Sequence, residues 1–122
     1  MQTAEFANHT GVDLKELFAR VEYDRELLRD VFQIFTEEFP KLHALLQCAV
    51  EHGDAEQIQT EAHTLKGMLA SLSFVKASAS AMRIERMAQQ ADLAGIQEEM
   101  AHLEYEVPFA QTNLVKACEE IW

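Results

Sequence analysis

The chain has 122 residues, 48% hydrophobic and 25% charged, which is the balance of one soluble domain with a single core rather than of a disordered segment. A formal net charge of -11 at pH 7 argues against nucleic acid, whose phosphates need clustered Lys and Arg, and against anionic membrane surfaces. No apolar run approaches a membrane span, and "MQTAEFANHTGVD" has neither the basic start nor the apolar stretch of a signal peptide, so a cytoplasmic domain is expected.

Four glycines and two prolines punctuate the whole length, which favours helices over a sheet. Residues 1–11 read as an irregular lead and 12–122 as one helical domain. Asp13, with Glu16 three residues on, opens a short helix whose apolar face is Leu14, Leu17, Phe18 and Val21. Asp24 caps a long second helix with the stripe Leu28, Val31, Phe35, Phe39, Leu42, Leu46 and Ala49; Pro40 is expected to kink or briefly break it, and Gly53 to end it.

Asp54 starts the third helix, with Gln57 at the capping-box position, and a turn is expected near Ser73. The fourth helix carries Ala77, Ala81, Ile84, Ala88 and Ala91 on one stripe, small side chains that permit close packing. Asp92 is expected to cap the last helix, whose stripe runs Ile96, Met100, Leu103, Val107, Ala110, Leu114, Ala117 and Ile121, interrupted at Pro108. These elements predict an all-α fold, an antiparallel up-down four-helix bundle with a short additional N-terminal helix. Cys48 and Cys118 fall inside apolar patterns without ligand spacing and are expected to be buried free thiols.

The third helix raises a chemical question at "EAHTLKGMLASL", residues 61–72. Its core stripe is Ile58, Ala62, Leu65, Leu69 and Leu72. At about 100° per residue, His63 lies about 140° and Gly67 about 180° from that stripe, so both face solvent. Gln59, Lys66 and Ala70 fall on the flank between His63 and the core edge. A glycine inside a helix costs roughly 1 kcal/mol relative to alanine, so something other than local stability asks for Gly67. One turn after the histidine, it leaves an open approach over the imidazole. A neutral exposed imidazole is a nucleophile, and a phosphoryl group on its Nε2 finds a counter-charge in Lys66. The plainer alternative is an idle surface histidine beside a neutral glycine.

"AHTLKG" resembles the signature of histidine-containing phosphotransfer (HPt) domains, the four-helix bundles that relay phosphoryl groups in multistep two-component signalling. The likeness extends from "DLKELF" through "DRELLRDVFQIFTEEFPKLHALL" and "AVEHGDAEQIQTEAHTLKG" to "RIERMA" and the last helix. It implies that His63 is the phosphoacceptor, Lys66 the basic residue beside the phosphoryl group and Gly67 the glycine that gives access. Glu85 falls where the family often has a Gln or Glu able to hydrogen-bond the imidazole through Nδ1–H, leaving Nε2 as nucleophile; a plain solvated carboxylate is the alternative. Where the family pattern continues with Leu-Gly, this chain has Leu72-Ser73 followed by Phe74, so the turn there is expected to be built differently. Gln89 stands where some members have a basic residue.

The implied partners are response-regulator receiver domains, which bring the phospho-accepting Asp and its Mg²⁺. The chain itself has no Gly-rich nucleotide loop, no acidic cluster that reads as a Mg²⁺ site, and no expected cofactor. It reads as a phosphocarrier, expected to be monomeric, either free-standing or part of a hybrid sensor histidine kinase. Docking is expected on exposed residues near the histidine, with Gln59, Ala70, Met82 and Gln89 as candidates. Two other classes were weighed. A metal-dependent hydrolase lacks its pattern, because His9, His43, His52, His63 and His102 are scattered with no HExxH. A non-catalytic bundle that only binds a partner or dimerises remains the alternative, separated by phosphoryl uptake.

Overall fold

The computed structural model describes residues 10–121, without the side chains of the last two. His9 and the side chain of Ile121 therefore lie outside the described residues, as does most of the 1–11 lead. The described chain is helical throughout its regular structure: α1 Leu14–Arg20, α2 Arg25–His52, α3 Ala55–Ser71, α4 Val75–Gln89 and α5 Ile96–Ile121.

Aspartates set three of the starts. Asp13, Asp24 and Asp54 each accept a hydrogen bond at 3.1 Å from the backbone N–H three residues on, satisfying a donor that the first helical turn leaves free. Gly53 ends α2 at φ 66°, the left-handed conformation a glycine adopts without steric cost. Connections of residues 53–54, 72–74 and 90–95 are short, and each pair of consecutive long helices packs together in a helical bundle. The α3–α4 pair makes the most extensive of these contacts. Ala77, Ala81, Ile84 and Ala88 on α4 and Ala62, Leu65 and Leu69 on α3 are all buried, and so many alanines let the two backbones approach closely.

Four expectations are corrected. Neither proline breaks its helix, since Pro40 and Pro108 both lie inside continuous helical segments. Pro40 and Pro108 are exposed, as are Thr36 and Glu104 four residues before them, so water can satisfy each carbonyl that the ring deprives of its partner. Asp92 does not cap α5, which begins four residues later at Ile96. Its N–H instead bonds the Met87 carbonyl at 2.9 Å, closing the end of α4 around Ala91 at φ 54°. Ala91 is thus exposed in a left-handed turn rather than on the buried stripe. Finally, the two thiols are free, but Cys48 is exposed and Cys118 half-buried. Cys48 follows Leu46 by two residues, about 200° around the helix from the stripe.

The turn after α3 is built around Ser73 rather than glycine. Ser73 takes φ 56°, and the Phe74 N–H reaches back to the Leu69 carbonyl at 3.0 Å. Its hydroxyl donates to Glu16 at 2.8 Å and its carbonyl accepts the Asp13 N–H at 2.9 Å, which fastens α1 across this end. Phe74 is fully buried and meets Phe35 edge-on at 5.4 Å between ring centroids. The serine accepts an unfavourable conformation and in return supplies two anchors.

Candidate functional site

His63 stands on α3 with two thirds of its side chain (66%) exposed. Its Nδ1 lies 2.7 Å from Oε2 of Glu85 on α4, and Lys66 Nζ donates to the other oxygen, Oε1, also at 2.7 Å. Glu85 is the residue after Ile84, about 70° round from the centre of the buried stripe and on the edge facing α3. Its side chain is only 10% exposed, so both oxygens are committed to these two partners rather than to solvent.

Burial alone would push the Glu85 carboxyl up; hydrogen bonds from Lys66 and His63, and the charges behind them, outweigh it and hold the group below its ordinary value. An ionised carboxylate can only accept, so the proton of a neutral His63 ring is on Nδ1 and Nε2 carries the lone pair. The exposed edge of the ring is therefore the nucleophilic one.

Gly67, one turn on, has open space where a side chain would begin: an added Cβ meets nothing within 4 Å. No packing constraint asks for this glycine, and its φ is not among the positive ones. Its helical cost is uncompensated within the fold.

Gln59 is half-buried and Ala70 exposed on the Lys66 flank of α3, while on α4 Met82 is half-buried and Gln89 exposed, one turn either side of Glu85. Met82 therefore offers less open apolar surface than its position off the alanine stripe suggests. The other flank carries a feature the sequence reading did not single out. A groove of about 260 Å³ between α2 and α3 is lined by Val31, Ile34, Phe35, Met68, Ser71 and Leu72. Ile34 at its rim is 58% exposed, and this isoleucine just off the apolar stripe was the available signal.

A second histidine sits on a buried carboxylate elsewhere. Glu99 on α5 accepts from Arg83 Nε at 2.6 Å and pairs with His102 Nδ1 at 3.1 Å. Burial would raise its carboxyl too, and Arg83 and His102 bring it below the ordinary value. The surroundings separate the two rings. His102 has Glu98 and Glu106 one turn either side, which repel an incoming anion, whereas His63 has Gln59 and Gly67. His43 pairs with Glu104 at 2.8 Å between α2 and α5, and His52 Nδ1 lies 2.8 Å from the Cys48 carbonyl.

The two depressed carboxyls fix a pH dependence. A folded-state value below the unfolded one contributes stability that is present above the unfolded value and lost as pH falls through the folded one. The thermal midpoint followed by circular dichroism is therefore expected to drop on acidification through the carboxylate range. Glu99→Gln is expected to flatten that acid limb; an unchanged limb removes Glu99 from the cause.

Comparison with known proteins gives one result. The family model described as Hpt domain matches residues 30–119, three quarters of the chain, including all of α3 and α4. No curated protein and no solved structure matches. Histidine phosphotransfer in phosphorelays, through contact with receiver domains, is the work of that family.

Proposed function

The chain belongs to the Hpt domain family, and from that premise we propose that His63 takes a phosphoryl group from the aspartate of one receiver domain and passes it to another. The single observation that carries this reading is the exposed Nε2 of a ring whose Nδ1 faces a buried carboxylate, beside a glycine that packing does not require.

In the forward step the Nε2 lone pair attacks phosphorus in line with the receiver's acyl phosphate oxygen. The N–P bond forms as the P–O bond breaks, and the electron pair leaves with the aspartate carboxylate. No proton moves, because Nδ1–H stays on the ring. Glu85 keeps the proton on Nδ1 and the ring oriented while Nε2 attacks, as a buried aspartate orients the imidazole of a hydrolase triad. Lys66 supplies positive charge to the phosphoryl oxygens. Mg²⁺ belongs to the receiver, which returns the group by the reverse of these steps.

The receiver docks over the α3 face. Gln59, Ala70, Met82 and Gln89 form its rim on the α4 side, and the Ile34–Met68 groove its apolar contact on the α2 side. Helical phase supports that span, since Lys66 and Ser71 lie about 60° and 80° from His63 in opposite senses. The domain works as a cytoplasmic monomer, alone or within a hybrid sensor kinase.

Mixing the protein with a receiver phosphorylated on ³²P tests the reading. Label is expected to move to the wild-type chain and to be lost in acid but retained in base. A chain that stays unlabelled with every receiver of its source organism is a non-catalytic binding bundle instead.

A further inference from the structure

The ammonium that phosphotransfer calls for is already engaged. Lys66 Nζ is 2.7 Å from Glu85 Oε1, on a carboxylate whose other oxygen faces His63 Nδ1. Nδ1 and Nε2 are on different edges of the imidazole, so a phosphoryl group on Nε2 projects beyond the ring, away from Glu85. One compact ammonium on a flexible stem cannot keep a close bond to Oε1 and also pair fully with that group. Lys66 is 32% exposed and free to swing outward, whereas Glu85 is held almost out of water. When Lys66 leaves, the carboxylate keeps its charge and loses one of two partners, which is costly for a buried ion.

We propose that Glu85 is a positioning residue that competes with the phosphoryl group for Lys66 and thereby limits how long His63 holds it. This rests on the phosphotransfer reading above and adds a direction to it. The unphosphorylated site is a closed network of three residues, and phosphorylation opens that network. The phosphorylated state bears the cost, so the group is predisposed to move on. A glutamine at 85 keeps a carbonyl acceptor for Nδ1–H but drops the charge that retains Lys66.

The test uses the full chain labelled by a phosphorylated receiver, freed of the receiver and then followed alone. Glu85→Gln is expected to lengthen the half-life of phospho-His63 by roughly three- to fivefold, the upper part of the range that ion-pair competition of this kind spans. In a Lys66→Ala background the same substitution is expected to change the half-life by less than about twofold, because nothing is left to compete for. Glu99→Gln, at the other carboxylate, is expected to leave it unchanged. Nitrogen NMR of the His63 ring is expected to show the Nδ1–H tautomer in both wild type and Glu85→Gln, a signature that a merely structural role does not set.

An equal or shorter half-life in Glu85→Gln overturns the proposal, as does full lengthening without Lys66. Should the variant fold poorly, the Glu85 carboxyl carbon resonance of the wild type decides. It is expected to shift on phosphorylation as Lys66 departs, and an unmoved resonance is contrary. Failure of the wild type to take label is a different result, which strikes at phosphotransfer itself.

Discussion

Replacing His63 by glutamine is expected to abolish phosphoryl uptake, reducing label to background, while the helical bundle stays folded. Glutamine lacks the ring nitrogen whose lone pair would form the N–P bond, so no partial activity is expected to remain. The structural cost is small because the ring is mostly exposed and its hydrogen bond is to Glu85, which retains Lys66. A surface change of this kind moves stability by about 0.5 to 1 kcal/mol. His43, His52 and His102 are not expected to substitute. His43 has Nε2 engaged on Glu104, His102 stands between two carboxylates, and His52 lacks the lysine that His63 has three residues on. Radiolabel transfer beside a thermal melt reads both halves; label persisting on the variant contradicts the assignment of His63.

Gly67→Leu separates stability from function in the opposite sense. The site has open space for a Cβ, so the new side chain can leave the helix without strain, and the helix gains up to about 1 kcal/mol of propensity. Helical side chains lean toward the N-terminus, which lays the leucine over the preceding turn and hence over His63. The receiver's aspartyl phosphate then cannot reach in-line distance without displacing it. Transfer is expected to slow by roughly ten- to a hundredfold, the scale on which small misplacements of reacting groups act. Gly67→Ala is expected to fall between leucine and wild type. A melt that rises together with an unchanged transfer rate contradicts the role given to the glycine.

What could be read in the sequence was local. The phase of α3 depends on one helix alone, so the outward direction of His63 and Gly67 followed from spacing. The aspartate caps at 13, 24 and 54 and the left-handed Gly53 are likewise set within a few residues. The misreadings came where tertiary context decides. Ala91 adopts a left-handed conformation that its identity does not announce, and Asp92, a capping residue by type, closes α4 rather than opening α5. Pro40 reads as a kink or break because the sequence does not say that Thr36, whose carbonyl it orphans, is exposed.

The same division holds at the site. Lys66 reads in sequence as a free counter-charge, and only the close approach of α4 shows that Glu85 engages it. That approach depends on the alanines of α4 acting together with Ala62 of α3, a relation between two helices that the periodicity of either one does not contain. The Ile34–Met68 groove is of the same kind, formed by α2 and α3 jointly.

Phosphorus and nitrogen NMR of the ¹⁵N-labelled wild-type chain, taken after exchange with a phosphorylated receiver, locates the transferred group atom by atom. Phosphorus bonded to Nε2 of His63, with the proton still on Nδ1, is the result required. Phosphorus on Nδ1, on another side chain or nowhere in the chain contradicts phosphotransfer through the exposed edge of this ring.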